Sequence, residues 1–495
     1  MHAALKKETI LRIDEADDAV QRAHQAYLAA RHVHPQTRAE WLGAVAKALE
    51  DHRDELVELA QQETHLPEAR LNGELNRTVF QLRLFARELV HGETFDATID
   101  HLDESWGAGP RPDIRRTNVP LGVIGVFGAS NFPFAFSVMG GDSASGLAAG
   151  CAVVHKIHEA HLQLGSRTGE IIKEALATAG APSGLFATLT TVPVGTALVE
   201  HPLVRAVSFT GSARVGRILM DRAAARAEPI PFYGELGSIN PVFVTRNAGQ
   251  VRGLDILTEY VSSFTLGMGQ FCTKPGLLFV PKLSSEETQA LVTAVSEATP
   301  APMLTPQLAA GFLDGRAKMA NREGVFELVP GGSGEAPAPA LFATTVDDVL
   351  RDPHIIREEM FGPASIVVQY EDETELIKAA ALLEGQLTAT IHGEDDDDVE
   401  ELVDMLESRV GRVLWNSWPT GVTVTFAQQH GGPYPATTAA STTSVGTAAV
   451  RRFMRPVSYQ SFPDKRLPPA LQETNVLGIT RRIDGHWMPA QVEAK

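Results

Sequence analysis

From about Lys6 to Leu66 apolar residues recur three and four positions apart, as in Leu42, Val45 and Leu49, a spacing that predicts amphipathic helices. Thr37-Arg-Ala-Glu40 has the capping-box spacing and predicts a helix start. Pro67 closes the segment, and a further helical stretch runs to about Leu89. Pro and Gly then gather over Gly107–Pro112, which predicts a connector.

Between residues 121 and 245 the pattern changes to short apolar runs, GVIGVFG, CAVVHK, LFATLT, AVSFTG and NPVFVT, separated by helical segments such as Thr168–Thr178. Continuous apolar runs of this length suit strands covered on both faces, and intervening helices suit right-handed crossovers, so a doubly wound parallel sheet is expected. After Pro275 a second series, GLLFVP, SIVVQY, LTATIHG and VGRVLWN, predicts a second α/β unit with a Gly331–Pro339 linker inside it. From Thr447 onward there are five prolines and no helical period. Such a tail is expected to pack on the body or on a neighbouring subunit.

At 495 residues the chain is long enough for two or three packed units. Its 43 Lys and Arg against 61 Asp and Glu leave a charge of −18, which argues against nucleic acid or a membrane surface as partner. The uncharged run Thr117–Gly141 is long enough to cross a bilayer, but its prolines, asparagines and glycines fit a buried strand, a loop and a helix start better. The N-terminal segment turns acidic before a signal-peptide core accumulates, and two cysteines without CxxC or zinc spacing point to a reducing, cytoplasmic setting.

Cys272 lies in the glycine-rich turn Gly267-Met-Gly-Gln-Phe-Cys272. That setting suits a nucleophile with backbone N–H groups to hold an oxyanion, although a buried structural cysteine would read the same. Cys151 has no polar company and reads as structural. Phe209-Thr210-Gly211-Ser212, with Gly216 one turn on, follows a strand and could bring a helix N-terminus to a phosphate, or be a plain strand-to-helix turn. Glu235 in ELGS could be a general base or a cap or ion-pair residue. His155, His158 and His161 straddle a strand end and a loop, a poor arrangement for a metal. The acidic run Glu394–Asp398 lacks the pattern of a calcium loop. P-loop and GxSxG motifs are absent from the sequence.

In order along the chain stand Asn131 in SNFPF, Lys156 after VVH, FTGS with Gly216, Glu235 in ELG, Cys272 in GQFC, and Glu359-Met-Phe361-Gly-Pro. This sequence of motifs resembles the aldehyde dehydrogenase superfamily over nearly the whole chain. ELGSINP, GQFCTKPG, HGGPYPATT, TSVGTAA and RFMRPVSYQ resemble the branch holding 2-oxoglutarate semialdehyde dehydrogenases and a bacterial fatty aldehyde dehydrogenase.

The resemblance implies two doubly wound α/β domains plus a small β oligomerisation element. Residues 1–101 and 121–237 would form the dinucleotide-binding domain, 238–440 the catalytic domain, and 102–120 with 441–495 the oligomerisation element of a homodimer or homotetramer. It further implies Cys272 as nucleophile, Asn131 and the Cys272 N–H as oxyanion donors, Glu235 as the base for thioester hydrolysis, and His430 near them. Lys156, Thr210, Gly211, Ser212, Gly216, Glu359 and Phe361 would hold the cofactor, and Phe132, Phe136, Phe271 and Trp418 would shape the substrate pocket. No metal is implied. Glu159, three residues after Lys156, favours NAD over NADP, because a carboxylate accepts from ribose hydroxyls and repels a 2′-phosphate. A short acid-bearing semialdehyde is the expected substrate. A fatty aldehyde, a CoA-acylating relative or acyl-phosphate reductase, and a catalytically silent protein of the same fold are the alternatives.

Overall fold

The computed structural model describes residues 2–490, so residue 1 and residues 491–495 of the segments delimited above lie outside it. Helices occupy the predicted N-terminal region as His2–Ala30, Pro35–Asp51, Arg53–Thr64 and Glu68–His91. The second of these starts earlier than the capping-box spacing implies. His34 is its N-cap, accepting from the Gln36 amide, and Thr37 already lies in the first turn. Pro35, at the first helical position, sets that start, since its ring fixes φ and its missing N–H costs nothing there.

The first sheet has five parallel strands in the order Phe186–Leu189, Ala152–Lys156, Val123–Phe127, Val204–Thr210, Phe232–Glu235. All five residues of Val123–Phe127 are buried, as a strand covered on both faces requires. The chain steps outward in one direction from this strand, then returns to its other side. The reversal creates a crevice at the carboxyl ends, where open α/β sheets bind ligands. Pairing sets Phe127 beside Lys156 and Phe209, and Thr210 beside Glu235, so these residues emerge along one edge.

One expectation is corrected here. NPVFVT does not complete the first sheet: Pro241–Val244 pairs with Leu277–Pro281 and Gln386–His392 in the second. The fifth strand of the first sheet is Phe232–Glu235. Pro229 and Pro231 precede that strand and Gly234 lies within it, which an edge strand tolerates.

The second sheet has seven strands, ordered Phe326–Val329, Ala340–Thr345, Ala364–Tyr370, Leu277–Pro281, Pro241–Val244, Gln386–His392, Val410–Trp415; only the first pair is antiparallel. Alternate residues feed opposite faces. Phe243, Leu277 and Phe279 enter one core and Val242, Val244, Leu278 and Val280 the other. The Phe243 and Phe279 rings stack at 4.7 Å. The Gly331–Pro339 linker is irregular chain between the first two strands.

A third, smaller sheet joins Met454–Gln460, Ile114–Pro120, Thr98–Asp100, Arg481–Ile483 and His486–Met488. The proline-rich tail therefore packs on its own chain, pairing residue for residue from Met454 opposite Pro120 to Gln460 opposite Ile114. Trp106 and Trp487 stay largely exposed beside this sheet. None of the described helices is long and apolar enough to cross a membrane.

Candidate active site

At the carboxyl edge of the first sheet, facing the second, lies a cavity of about 290 Å³. Asn131, Thr210, Gly211, Ser212, Glu235, Cys272, Glu359 and Phe361 all line it, although they come from segments far apart in sequence. Ser212 caps the helix Ala213–Ala224, its side chain accepting from the Val215 amide, so that helix presents its positive end to the cavity. Gly216 has a different task. A Cβ there would come within 2.1 Å of Leu236 and 3.1 Å of Phe209, so the glycine lets the helix pack closely on the strands. Lys156 ends its strand half-buried, its ammonium pushed below the ordinary lysine range by burial and partly restored by Glu159. Glu159 opens the next short turn and is exposed.

The Cys272 turn is held by its backbone. Gly267, Met268 and Gly269 all have positive φ, and a Cβ on Gly269 would lie 2.2 Å from the Gly362 carbonyl, so glycine is required there both for conformation and for close approach. The Asn131 amide donates to the Gln270 carbonyl at 2.9 Å and carries a second N–H. Asn240 donates to the carbonyls of both Cys272 and Lys274 at 2.9 Å, and is itself held with Ser238 by Gln386. The motif ELGSINP thus clamps the cysteine loop.

Cys272 Sγ lies 3.7 Å from His430 Nε2. The same nitrogen is 3.0 Å from Glu235 Oε1, and Ser444 Oγ donates to Oε2 at 2.9 Å. Burial pushes the Glu235 carboxyl up, but the charge and hydrogen bond of His430, the Ser444 hydroxyl and the Arg452 charge outweigh it and hold the group below the ordinary carboxylate range. The thiol of Cys272 goes the other way: burial first, then the Glu235 carboxylate, push it well above its ordinary value. Ligand atoms of these three residues lie within 4.8 Å of one another, the only such cluster among the described residues. The hydrogen bond between His430 and Glu235 already engages two of them. His155, His158 and His161 do not converge: they pair separately with Ser143, the Ala160 amide and the Ala129 carbonyl.

Phe132, Phe136 and Phe271 form an aromatic wall beside the cysteine, with centroids 5.2 Å apart for the first pair and 5.3 Å for Phe132 and Phe271. Trp418 is not part of it. Its ring lies 4.6 Å from His392 and 5.9 Å from Tyr260, and its indole N–H donates to Glu259, because the strand before it carries the chain to the far side of the second sheet.

A model of the aldehyde dehydrogenase family matches residues 7–446. The chain belongs to that family. It is 45% identical over 484 residues to alpha-ketoglutaric semialdehyde dehydrogenase 2 of Azospirillum brasilense, covering 95% of this chain and 91% of that one. It is also 41% identical over 483 residues to the alpha-ketoglutaric semialdehyde dehydrogenase of Acinetobacter baylyi, covering 96% and 91%. The fold is similar to that of an aldehyde dehydrogenase from Bacillus cereus, with a TM-score of 0.77 at 21% identity over 90% of this chain and 89% of the other.

Aldehyde dehydrogenases use NAD or NADP, and the capped helix N-terminus facing the cavity suits a cofactor phosphate. Three residues that position this aldehyde dehydrogenase site were not singled out in the sequence. Ser444 holds Glu235, Asn240 holds the cysteine loop, and Lys274 donates its ammonium to the carbonyls of Met360, Gly362 and Ala364 at 2.7, 3.3 and 2.8 Å. All three stand inside the motifs TSVGTAA, ELGSINP and GQFCTKPG, which is the only signal that could have found them.

Proposed function

We propose that this aldehyde dehydrogenase oxidises 2-oxoglutarate semialdehyde to 2-oxoglutarate, releasing a free acid by hydrolysis. The observation that carries the chemistry is the contact of Cys272, His430 and Glu235, a nucleophile beside a base kept ionised. The 41–45% identity to two enzymes named for that substrate supports its choice.

Cys272 attacks the aldehyde carbon, and its proton passes to the Glu235 carboxylate within the cluster. The Asn131 amide and the Cys272 backbone N–H hold the oxyanion of the thiohemiacetal. NAD(P), when bound, supplies the hydride acceptor that takes the substrate to the acid oxidation level. Glu235, having passed the thiol proton on to solvent, then draws a proton from water as the water attacks the thioester carbonyl, and returns that proton to the departing Cys272 thiolate. A carboxylate poised for this step favours hydrolysis over transfer to CoA.

Lys156, Thr210, Gly211, Ser212, Glu359 and Phe361 hold the cofactor, with Gly216 shaping the helix behind them. Glu159, exposed next to Lys156, favours NAD by facing the adenosine ribose. The first sheet serves as the dinucleotide-binding domain, the second as the catalytic domain, and the third, with Trp106 and Trp487 exposed, as the contact in a cytoplasmic homodimer or homotetramer.

An absorbance assay of NADH and NADPH formation with a panel of aldehydes tests the reading. Highest kcat/KM for the five-carbon semialdehyde is expected. Much higher values for hexanal or longer alkanals would replace it with fatty aldehyde oxidation, and no reduced cofactor with any aldehyde would make the chain catalytically silent.

A further inference from the structure

The helix Glu68–His91 turns Arg70, Glu74 and Arg77 toward the loop Asn131–Phe136. Arg70 donates to the Asn131 carbonyl at 2.7 Å, and Glu74 Oε1 accepts from the amides of Phe134 and Ala135 at 2.8 and 2.9 Å. Arg77 differs. Only its Nε is engaged, donating to the Val422 carbonyl at 3.2 Å, while both Nη atoms are enclosed and have no acceptor. Among the described residues it forms no ion pair, and buried guanidinium nitrogens without acceptors are uncommon enough to call for an explanation.

Its position supplies one. The Arg77 guanidinium lies 5.2 Å from the centre of the Phe136 ring, and that ring is 6.2 Å from the ring of His430, which touches Cys272. One aromatic ring therefore separates the cation from the nucleophile's cluster, and the Arg77 charge acts on both Cys272 and Glu235. Arg70 and Arg412 are also near the site, but Nη2 of Arg70 is taken up by the Asn131 carbonyl and both Nη atoms of Arg412 by the carbonyls of Pro419 and Gly421, so neither offers two unengaged Nη atoms.

We propose that Arg77 binds the distal carboxylate of the substrate through its two unengaged Nη atoms, with the half-buried Phe136 ring turning aside to admit it. This rests on the acid-bearing semialdehyde reading. Two parallel N–H groups match a carboxylate's two oxygens, and the apolar wall of Phe132, Phe136 and Phe271 takes the methylenes between the ends.

The test is the ratio of kcat/KM for 2-oxoglutarate semialdehyde to that for pentanal, in wild type, Arg77→Met, Arg77→Lys and Arg70→Met. Arg77→Met is expected to lower the ratio on the order of 100-fold, mainly through KM for the semialdehyde. Arg77→Lys recovers part of it, keeping charge without the fork, and Arg70→Met changes both substrates by one factor. Equal losses on both substrates in Arg77→Met, or a collapse of the ratio in Arg70→Met instead, would overturn the assignment. A wild-type ratio near or below one would sink the semialdehyde reading itself, whatever the variants do. Should Arg77→Met not fold, inhibition of pentanal oxidation by glutarate decides: at least tenfold weaker inhibition of Arg77→Lys than of wild type supports the site, and equal inhibition overturns it.

Discussion

Nε2 of His430 lies 3.0 Å from Oε1 of Glu235, and both side chains are buried. A carboxylate in its ionised form can only accept, so the imidazole nitrogen is the donor at this contact. His430 therefore keeps Glu235 charged rather than competing with it for the thiol proton. The carboxylate is thereby left as an acceptor beside the sulfur, which suits the proposed activation of water.

Glu235→Gln should impair thioester hydrolysis more than acylation. The amide cannot take a proton from water, whereas in the variant the thiol proton can leave to solvent and loss of the negative charge makes the thiolate easier to form. Steady-state turnover is expected to fall by roughly 100-fold or more, a usual contribution for a general base. Stopped-flow absorbance should show a burst of reduced cofactor followed by slow turnover. Equal loss in both phases would contradict the assignment.

The same electrostatics predicts how Cys272 reacts with an alkylating agent. Its thiol is raised above the ordinary value, so the protonated form dominates at neutral pH and the rate of iodoacetamide modification should still be climbing at pH 9. In Glu235→Gln the second cause of that rise is gone. The whole rate profile should therefore move to lower pH, and a profile that stays in place would show that Glu235 does not set the thiol.

What could be read from the chain was whatever strand ends and turns announce locally. Lys156, Thr210 and Glu235 each close a strand of the first sheet, and Cys272 sits in a turn whose glycines are needed for backbone reasons. Contacts made across the fold were out of reach. Ser444 is 209 residues from the carboxylate it holds, and Gln386 is 146 from the Asn240 amide it accepts from. Trp418 shows the converse error, since an aromatic residue near a predicted strand end says nothing of which face of the sheet the chain has reached. NPVFVT fails for a related reason: an apolar run identifies a strand and leaves open the sheet that strand joins.

Lys274→Met should weaken cofactor binding. The ammonium holds three carbonyls of residues 360–364, the segment that carries Phe361 and follows Glu359. Losing it leaves buried acceptors unpaired, at a cost of about 1–3 kcal/mol for each group so exposed. It also removes the charge that offsets the burial of Glu359, so that carboxyl rises further. The expected result is a higher KM for NAD and a lower Tm. An unaltered cofactor KM would show that the segment keeps its position without the lysine.

Glu159→Thr is the variant that tests cofactor choice. Glu159 is exposed at the start of the short turn following Lys156, and its charge is felt by that lysine, so the two side chains share one local environment at the carboxyl edge of the sheet. A carboxylate facing the adenosine ribose accepts from both hydroxyls and repels a 2′-phosphate, and a threonine there keeps an acceptor without the charge. Wild type is expected to prefer NAD. The variant should improve the kcat/KM ratio of NADP to NAD by an amount equivalent to about 1–3 kcal/mol, the usual coupling between groups in direct contact. Because Lys156 loses the partner that supports its charge, its own affinity for a phosphate should not rise, so the gain must come from lost repulsion and should shrink as salt screens the site. A wild-type preference for NADP, or a ratio that does not move on mutation, would show that the choice is made elsewhere in the cavity.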